Sequence, residues 1–333
     1  KQGTGVFTLT GANTYSGGTT VNAGTLAGAA GPLQGAILVN AAGTVRFDQA
    51  AAGTFTGALS GAGIVNKEGA GVLTLSGNNS AHTGAFNING GTVSIGAATN
   101  IGTGTISLTG TTLQTTGALT LANAITLNAP GGTMLTGGDT ILSGVISGTA
   151  SLTKTGSASL TLAGANTYAG GTTVSAGTLI GTTTSLQGNI VNNAALVFNQ
   201  AAGGTYAGNI SGTGTVSTAG AGPVTLGGTN TYSGATNVNV GTLVAGGTGI
   251  GDASAVTVAS GATLQLAGNE TAGSLAGAGA LATAGFTLTT GGNNGSTAFS
   301  GATTGTGLTK VGTGTMTVTG TGTLTGALTA EIG

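Results

Sequence analysis

The residues of this chain that could do chemistry are few. The sequence of 333 residues holds five Lys and Arg, six Asp and Glu and one His, and it has no Cys. Without Cys there is no disulfide, no thiolate nucleophile and no sulfur-based metal site. Catalysis would therefore depend on the carboxylates and on one imidazole acting as general acids or bases.

The six acids could support sugar chemistry only if two of them converge. Enzymes that cleave polysaccharides place a pair of carboxyl groups around the scissile bond. The acids are Asp48, Glu68, Asp139, Asp252, Glu270 and Glu331. None is adjacent to another in sequence, but a stacked fold could bring two together, so a carbohydrate-active β-helix enzyme remains an alternative.

The other ionisable residues favour structural roles. His82 stands where related segments carry a turn Tyr, and no nucleophile or metal ligand accompanies it, so we interpret it as a turn variant. Arg46 and Asp48 are two residues apart on one strand face, which predicts a surface ion pair of small energetic value. Lys67-Glu68 is predicted to lie at a turn.

A short acidic segment is similar to a calcium-binding turn. "GGDT" at 137–140 occurs once, whereas such turns bind calcium only when consecutive turns repeat them. We therefore predict no metal site, no cofactor and no catalytic residue.

Composition excludes several classes of protein. Gly is 71 of 333 residues, charged residues are 3% and the net charge is −1, while 39% of the residues are hydrophobic. Disordered chains combine low hydrophobicity with high charge, which is the opposite of this balance. A near-neutral chain has nothing to offer a phosphate backbone, so we predict no nucleic-acid partner.

One segment of sequence recurs along the chain. "TLTGANTYSGGTTVNAGTL" at 8–26 returns as "TLAGANTYAGGTTVSAGTL" at 161–179 and as "TLGGTNTYSGATNVNVGTL" at 225–243. A copy with one inserted residue, "LTLSGNNSAHTGAFNINGGTV", spans 73–93. The bounds of the strong copies are 3–26, 69–93, 156–179 and 222–243, and a degraded copy occupies 312–333.

The spacing of the copies predicts the structural unit. The central apolar residues of the "LTLTG" strands are Leu9, Leu75, Leu162, Leu226 and Val318, which are 66, 87, 64 and 92 residues apart. These spacings are close to three or four units of about 21–22 residues, a size found in solenoid coils. The chain then holds roughly 15–16 coils.

Two further observations support the repeat. The segment 32–66 matches 185–217, pairing Gln34 with Gln187, Phe47 with Phe198 and Gln49 with Gln200. Four of the five basic residues stand eight positions before an apolar anchor, namely Lys1, Lys67, Lys154 and Lys310.

Alternation within each copy indicates β-strands. Leu160 and Leu162 flank Thr161, which places the apolar side chains inward and the Thr outward on a half-buried strand. Propeller blades need about 40–50 residues and aromatic signatures, and a sandwich would not repeat itself so closely. We predict an all-β parallel β-helix, one continuous solenoid over 1–333 that is a fragment of a longer repeat protein.

The repeat also assigns roles to individual positions. We expect the Asn and Tyr of "NTY" to lie in a turn, where Asn side chains can satisfy backbone groups: Asn13, Tyr15, Asn166, Tyr168, Asn230 and Tyr232. We expect the apolar positions to form the core ladder: Leu9, Val21, Leu26, Leu75, Leu162, Val174, Leu179, Leu226, Val238 and Leu243.

The pattern "GxGxLTLxGxNTYxGGTTVxxGTL" resembles the passenger-associated transport repeat, also called the autotransporter-associated β-strand repeat. The resemblance is close at 3–26, 156–179 and 222–243 and weaker at 69–93, and 261–320 is similar to inter-repeat sequence of such passengers. It implies a right-handed β-helix stalk of a Gram-negative autotransporter, exported through an outer-membrane translocator barrel that lies outside this fragment. In that family the repeat is linked to folding and transport rather than to catalysis.

The leading functional hypothesis is an extracellular or cell-surface structural segment without catalysis. The second is a filament subunit that associates with copies of itself, because low charge gives little repulsion and an open solenoid end exposes a strand edge. Expected partners are therefore other copies, a host or neighbouring-cell surface, or a polysaccharide.

Overall fold

The computed structural model describes residues 1–331. Over these residues the chain is all-β, with parallel strands stacked in coils about 20 residues apart and about 16 turns in all. The predictions of a parallel β-solenoid and of 15–16 coils are confirmed. The last two positions of the degraded copy 312–333 lie outside the described residues.

The chain divides into two compact units, Lys1–Gly171 and Thr172–Gly333, called unit 1 and unit 2. Each unit is built from stacked parallel strands. The prediction that 1–333 forms a single continuous solenoid stays a prediction.

Unit 1 contains sixteen strands and one short 3₁₀-helix, Ala98–Asn100, among its described residues. The strands are β1 (Val6–Leu9), β2 (Thr19–Gly28), β3 (Ile37–Asp48), β4 (Gly53–Phe55), β5 (Leu59–Ser60), β6 (Ile64–Glu68), β7 (Val72–Leu75), β8 (Phe86–Ile88), β9 (Thr92–Ile95), β10 (Ile106–Thr115), β11 (Leu119–Leu121), β12 (Ile125–Thr136), β13 (Thr140–Leu142), β14 (Ile146–Gly148), β15 (Leu152–Thr155) and β16 (Ser159–Leu162).

Unit 2 contains the remaining described strands. They are β17 (Thr172–Val174), β18 (Thr178–Gly181), β19 (Ile190–Asn192), β20 (Ala195–Phe198), β21 (Gly204–Tyr206), β22 (Ile210–Ser211), β23 (Thr215–Thr218), β24 (Val224–Leu226), β25 (Thr236–Val238), β26 (Thr242–Ala245), β27 (Ala255–Val258), β28 (Thr263–Leu266), β29 (Glu270–Ala272), β30 (Ser274–Gly277), β31 (Ala280–Ala282), β32 (Thr287–Thr290), β33 (Thr297–Phe299), β34 (Thr303–Gly305), β35 (Gly307–Lys310), β36 (Met316–Val318), β37 (Gly322–Leu324) and β38 (Leu328–Ala330).

The register of the strands stacks like positions of successive coils. In unit 1, β3, β6, β8, β10, β12 and β14 pair in parallel, and their inward residues form one apolar column of Val45, Val65, Phe86, Ile106, Ile125 and Ile146. Every member of this column is at most 1% exposed. Burial of such columns supplies the main favourable term in folding.

Unit 2 has corresponding columns on two of its faces. Strands β18, β20, β23, β25, β27 and β30 stack Leu179, Leu196, Val216, Thr236, Val256 and Leu275. Strands β24, β26, β28 and β31 stack Val224, Leu243, Leu264 and Leu281. Side chains alternate along each strand, so every second residue points inward. These residues stack from coil to coil and fill the interior.

The longer repeat is also repeated in three dimensions. Phe47 contacts Phe55 at a ring-centroid distance of 5.2 Å, and Phe198 contacts Tyr206 at 5.4 Å. Both pairs are tilted, the arrangement that aromatic quadrupoles favour. The two units therefore contain the same aromatic contact at equivalent positions.

The prediction that Thr faces outward is wrong at several positions. Thr115 and Thr140 are buried, and their hydroxyl oxygens lie 2.7 Å apart in a hydrogen bond. Buried Thr136 donates to the carbonyl oxygen of Ala158 at 3.0 Å. These hydroxyls have partners, which removes most of the cost of burying them.

Among residues 1–331, no helix is long and apolar enough to span a membrane.

Candidate functional site: the lysine and asparagine positions of the repeat

Two of the four repeated lysines are fully buried. Lys67 and Lys154 are 0% exposed. The prediction of a turn at Lys67-Glu68 is wrong, because both residues end strand β6. In that strand Lys67 faces inward and stacks between Phe47 and Ile88. A cationic side chain therefore occupies a position in an apolar column.

The ammonium group of Lys67 is bonded entirely to backbone. Its Nζ donates to the carbonyl oxygens of Glu68 at 3.1 Å, Gly69 at 2.7 Å and Gly90 at 2.7 Å. These three acceptors match the three protons of the group. Gly90 lies 23 residues further along the chain. The lysine corner, formed by Lys67, Glu68, Gly69 and Gly90, thus closes a turn and ties one coil to the next.

The other three lysines form the same turn. Each Nζ donates to the carbonyl oxygens of the next two residues, which are Gln2 and Gly3 for Lys1, Thr155 and Gly156 for Lys154, and Val311 and Gly312 for Lys310. Lys1 also reaches the carbonyl oxygen of Ala23, 22 residues away, at 3.0 Å. The lysine corner is therefore a repeated structural element.

A left-handed glycine accompanies each of these lysines. The second residue after each lysine has positive φ: Gly3 at 73°, Gly69 at 77°, Gly156 at 78° and Gly312 at 72°. This conformation costs glycine little and other residues much more. In the fourth copy Thr218 takes the lysine position, and Gly220 is not left-handed. The hydroxyl of Thr218 still donates to the carbonyl oxygen of Val240, 22 residues on, at 2.8 Å.

Burial and hydrogen bonding act in opposite directions on these amines. Burial lowers the pKa of Lys67, and the nearby charge of Glu68 opposes the change. Burial lowers the pKa of Lys154 to about 8. The carbonyl oxygens bond more strongly to the protonated amine, which also has one more N–H donor than the neutral amine, and they therefore favour the protonated form. The arrangement suits a structural cation rather than a reactive amine.

Trypsin is expected to leave the native chain uncut after Lys67 and Lys154. Cleavage needs the lysine side chain to enter the protease pocket, and here it is enclosed and bonded to backbone. A time course followed by mass spectrometry, with urea-unfolded chain as the control, measures this. Rapid release of a fragment ending at Lys154 under native conditions would contradict the lysine corner.

The asparagine of "NTY" joins three consecutive coils. Asn230 is 4% exposed. Its Oδ1 accepts the backbone N–H of Ile210 at 2.7 Å, and its Nδ2 donates to the carbonyl oxygen of Gly249 at 2.8 Å. These partners lie 20 residues before and 19 residues after it. A neutral amide supplies both an acceptor and donors, which one carboxylate or one ammonium cannot.

The other copies repeat this asparagine bridge, formed by Asn13, Asn79, Asn166 and Asn230. Asn79 accepts the N–H of Leu59 at 2.7 Å and donates to the carbonyl oxygen of Asn100. The coils are linked here by hydrogen bonds from the asparagine side chains to backbone N–H and carbonyl groups. Contacts between asparagine side chains do not form the bridge. Asn166 accepts the N–H of Ile146 at 2.8 Å, and Asn13 donates to Pro32 at 2.9 Å.

The tyrosines of "NTY" lie beside the bridge. Tyr168 and Tyr232 are at most 1% exposed, and Tyr15 is half-buried. The Tyr232 hydroxyl lies 2.7 Å from the hydroxyl of Thr236, which lies 2.8 Å from that of Ser254. Burial raises the pKa of Tyr232 to about 12. The phenol is therefore a neutral link in a buried hydroxyl chain.

The expected core-ladder residues have similar environments except at β1. Leu9 is half-buried at the end of β1. The remaining positions are at most 2% exposed: Val21, Leu26, Leu75, Leu162, Val174, Leu179, Leu226, Val238 and Leu243.

His82 is buried rather than exposed at a turn surface. It is 0% exposed, its Nε2 lies 3.1 Å from the carbonyl oxygen of Gly63, and its backbone pairs with Gly61 as an isolated bridge. Its Nδ1 has no hydrogen-bond partner among the described residues. Burial lowers its pKa, and the bond to Gly63 opposes this.

His82 is expected to titrate below its ordinary pKa of 6.5. The unfolded chain then binds the proton more readily than the folded chain, so stability falls as pH drops below about 6.5. NMR titration of this single imidazole measures the pKa directly. His82→Gln keeps a donor for Gly63 and should remove this part of the pH dependence of the urea midpoint. A midpoint of titration at or above 6.5 would contradict the buried position.

Most of the acids bond to neighbouring residues at the surface. Asp48 pairs with Arg46 at 2.7 Å, with both side chains about a third exposed (38% and 35%). Glu68 accepts a hydrogen bond from the amide of Asn89 at 2.8 Å. Glu331 is exposed. Asp48 and Glu68 occupy paired positions on β3 and β6, and each is bonded to a neighbouring polar side chain, Arg46 and Asn89 respectively.

Asp139, the acid of the "GGDT" segment, also bonds to the following coil. Its Oδ1 accepts the backbone N–H of Ser159 at 2.9 Å and the Ser159 hydroxyl at 2.8 Å, which lowers its pKa. Among residues 1–331, no three His, Cys, Asp or Glu side chains are grouped to hold a metal ion.

Asp252 and Glu270 also interact electrostatically. Burial raises the pKa of Glu270 to about 7, and the charge of Asp252 acts in the same direction. A glycosidase needs one carboxyl group with a raised pKa, but it also needs both of its carboxyl groups open to the sugar. Glu270 is 2% exposed and accepts backbone hydrogen bonds, so the arrangement fits a structural role.

Two buried glutamines were not assigned a role from the sequence. Gln49 accepts the N–H of Ala30 at 3.0 Å, and Gln200 accepts the N–H of Thr183 at 2.9 Å. Both are less than a tenth exposed. Their pairing in the longer repeat was the signal that could have identified them as further links between coils.

The family model described as passenger-associated-transport-repeat matches residues 1–27, 65–95, 152–180 and 218–245. These four segments together cover less than half of the chain. Each matched segment includes the lysine position, or Thr218 in its place, and the asparagine bridge. Together with the β-solenoid fold, these matches support an autotransporter passenger-like β-helix. A search of curated proteins found no match, and neither did a search of solved structures.

Proposed function

We propose that the chain is a non-catalytic structural segment, a β-helical stalk or fibre portion of an autotransporter-like protein at the cell surface of a Gram-negative bacterium. The observation that carries this proposal is the use of the rare polar groups. The side chains of the lysine corner and the asparagine bridge form hydrogen bonds with backbone groups of neighbouring coils.

The exterior supports the same role. Outward positions are rich in Thr, Ser, Asn and Gly, and the chain has few charges. Adjacent outward asparagines also bond along the stack, as Asn87 does to Asn66 at 2.9 Å and Asn40 to Asn22 at 2.6 Å. Such a surface adds links between coils and could present itself to a host cell, a neighbouring cell or a polysaccharide.

Surface display tests the proposal. The chain is fused between an export signal and an autotransporter translocator in a Gram-negative host, and protease is added outside the cells. We expect a folded, protease-resistant product at the surface, and we expect Gly156→Ala to reduce its resistance. Retention of the wild-type fusion inside the cell, or a surface product that protease degrades at once, would contradict the proposed role.

A further inference from the structure

Residues 246–252 of unit 2 form a glycine-rich segment held at its middle by side chains of other coils. Four of these seven residues are Gly. At Gly249, the carbonyl oxygen accepts from Asn230 Nδ2 at 2.8 Å and the N–H donates to Glu270 Oε2 at 3.2 Å. The backbone N–H of Asn230 also donates to Thr248 at 2.9 Å. The segment is called the latch segment below.

Glu270 occupies the place that the asparagine bridge fills in other coils. A bridging asparagine accepts an N–H from the residue 20 positions earlier, as Asn166 and Asn230 do. Glu270 accepts from a residue 21 positions earlier. An amide is neutral at every ordinary pH, whereas a carboxyl group gains and loses a proton. This coil therefore carries a titratable group where the repeat otherwise places a neutral one.

The surroundings of Glu270 oppose its negative charge. The side chain is 2% exposed. The groups that face it are Asp252, on the latch segment, and the phenol of Tyr232, both of them acids. Leu288 stacks on it from the following coil. The backbone N–H groups of Gly249 and Thr271, each at 3.2 Å, and that of Ile250 give partial compensation but no positive charge.

We propose that Glu270 is a proton-dependent latch, which holds residues 246–252 against the stack when protonated and releases them when ionised. Glycines give the released segment the backbone freedom to move. The event is the transfer of one proton from the carboxyl group to water.

The pH range of the latch follows from its surroundings. Burial, with the charge of Asp252, raises the pKa of Glu270 from 4.5 to about 7, while the backbone N–H bonds oppose the shift. The closed state therefore binds the proton more strongly than the open state. Closure is favoured at pH below about 4.5, and this contribution is lost progressively as pH rises to about 7.

Hydrogen exchange of the full chain at pH 5 and pH 8 tests the latch. After correction for the intrinsic exchange rate, protection of the Gly249 and Ile250 amides is expected to be on the order of tenfold lower at pH 8. The Ile146 amide, bonded to neutral Asn166, should show no such change. Equal protection of the latch segment at both pH values would overturn the proposal.

Glu270→Gln supplies the variant, since it keeps an acceptor and cannot ionise. It should protect the latch segment equally at both pH values. Asp139→Asn, a change at an exposed acid of unit 1, is the control and should leave the latch segment as in the unsubstituted chain. A Glu270→Gln chain that retains the full pH dependence would refute the role of Glu270.

A titration of the unsubstituted chain is independent of whether the variant folds. The carboxyl carbon of Glu270 and the amide of Ile250 are followed together by NMR. We expect one shared midpoint near pH 7. Separate midpoints, or a Glu270 midpoint near 4.5 with a pH-dependent latch segment, would also overturn the proposal.

Discussion

Replacing Asn230 by alanine is expected to destabilise the coils around it by about 2–4 kcal/mol. The substitution leaves the N–H of Ile210 and the carbonyl oxygen of Gly249 without their partners in a buried site. Each orphaned buried group costs about 1–3 kcal/mol. Native-state hydrogen exchange read by mass spectrometry measures the change for the peptides that contain these two residues.

A second asparagine of the same copy gives the matched control. Asn237 is half-buried, and its amide lies 3.5 Å from the hydroxyl of Ser217, at the limit of a hydrogen bond. Asn237→Ala should change stability by no more than about 0.5 kcal/mol. If Asn230→Ala were as mild as this control, the bridge would not be what holds successive coils together.

Gly156→Ala is expected to cost about 3 kcal/mol or more. Gly156 has φ of 78°, and an added Cβ would lie 2.3 Å from the carbonyl oxygen and 2.8 Å from the nitrogen of Thr136. A left-handed non-glycine residue costs about 1–2 kcal/mol before any clash is counted. Because Gly156 also presents a carbonyl oxygen to Lys154, the lysine corner would be distorted with the turn.

Exchange protection of β12 and β15 measures this effect, since these strands pair next to Gly156. Gly31→Ala is the control, because a Cβ at Gly31 would meet nothing within 4 Å and its φ is not left-handed. It should stay within about 0.5 kcal/mol of the unsubstituted chain. Unchanged protection in Gly156→Ala would mean that the turn adapts, and that the corner is not rigid.

The repeat period was enough to predict the coil, because stacking like on like requires equal lengths of chain per turn. The spacings from Leu9 to Leu75 and from Leu162 to Leu226 each correspond to three coils. The coil length that they predict is close to the observed length of about 20 residues. The alternation of Leu160, Thr161 and Leu162 likewise predicted which side chain of strand β16 faces the core.

The burial of the lysines could not be predicted in the same way. The regular placement of Lys67 before its anchor was visible in the sequence, but a charged side chain is normally assigned to the surface. Its burial depends on the carbonyl oxygen of Gly90, which lies 23 residues away and becomes a neighbour only through stacking. Local pattern therefore predicted a turn where the fold has an inward-facing strand residue.

Glu270 and Gln49 escaped prediction for a related reason. Neither belongs to the "NTY" motif, yet each accepts a backbone N–H about one coil away, from Gly249 and Ala30 respectively. Asn13, by contrast, shows only the bond to the following coil, because no coil precedes it among the described residues. A bridging role is set by what lies in the adjacent coils, which single-sequence pattern does not reveal.

The central claim is that the rare polar side chains of the repeat serve the backbone of the solenoid rather than its surface chemistry. Acetylation of lysine amines in the native chain, followed residue by residue by mass spectrometry, tests this most directly. We expect Lys67 and Lys154 to stay unmodified until the chain is unfolded, since both are 0% exposed. Acetylation of these two amines at the rate of free lysine, in a chain that remains folded, would contradict the account.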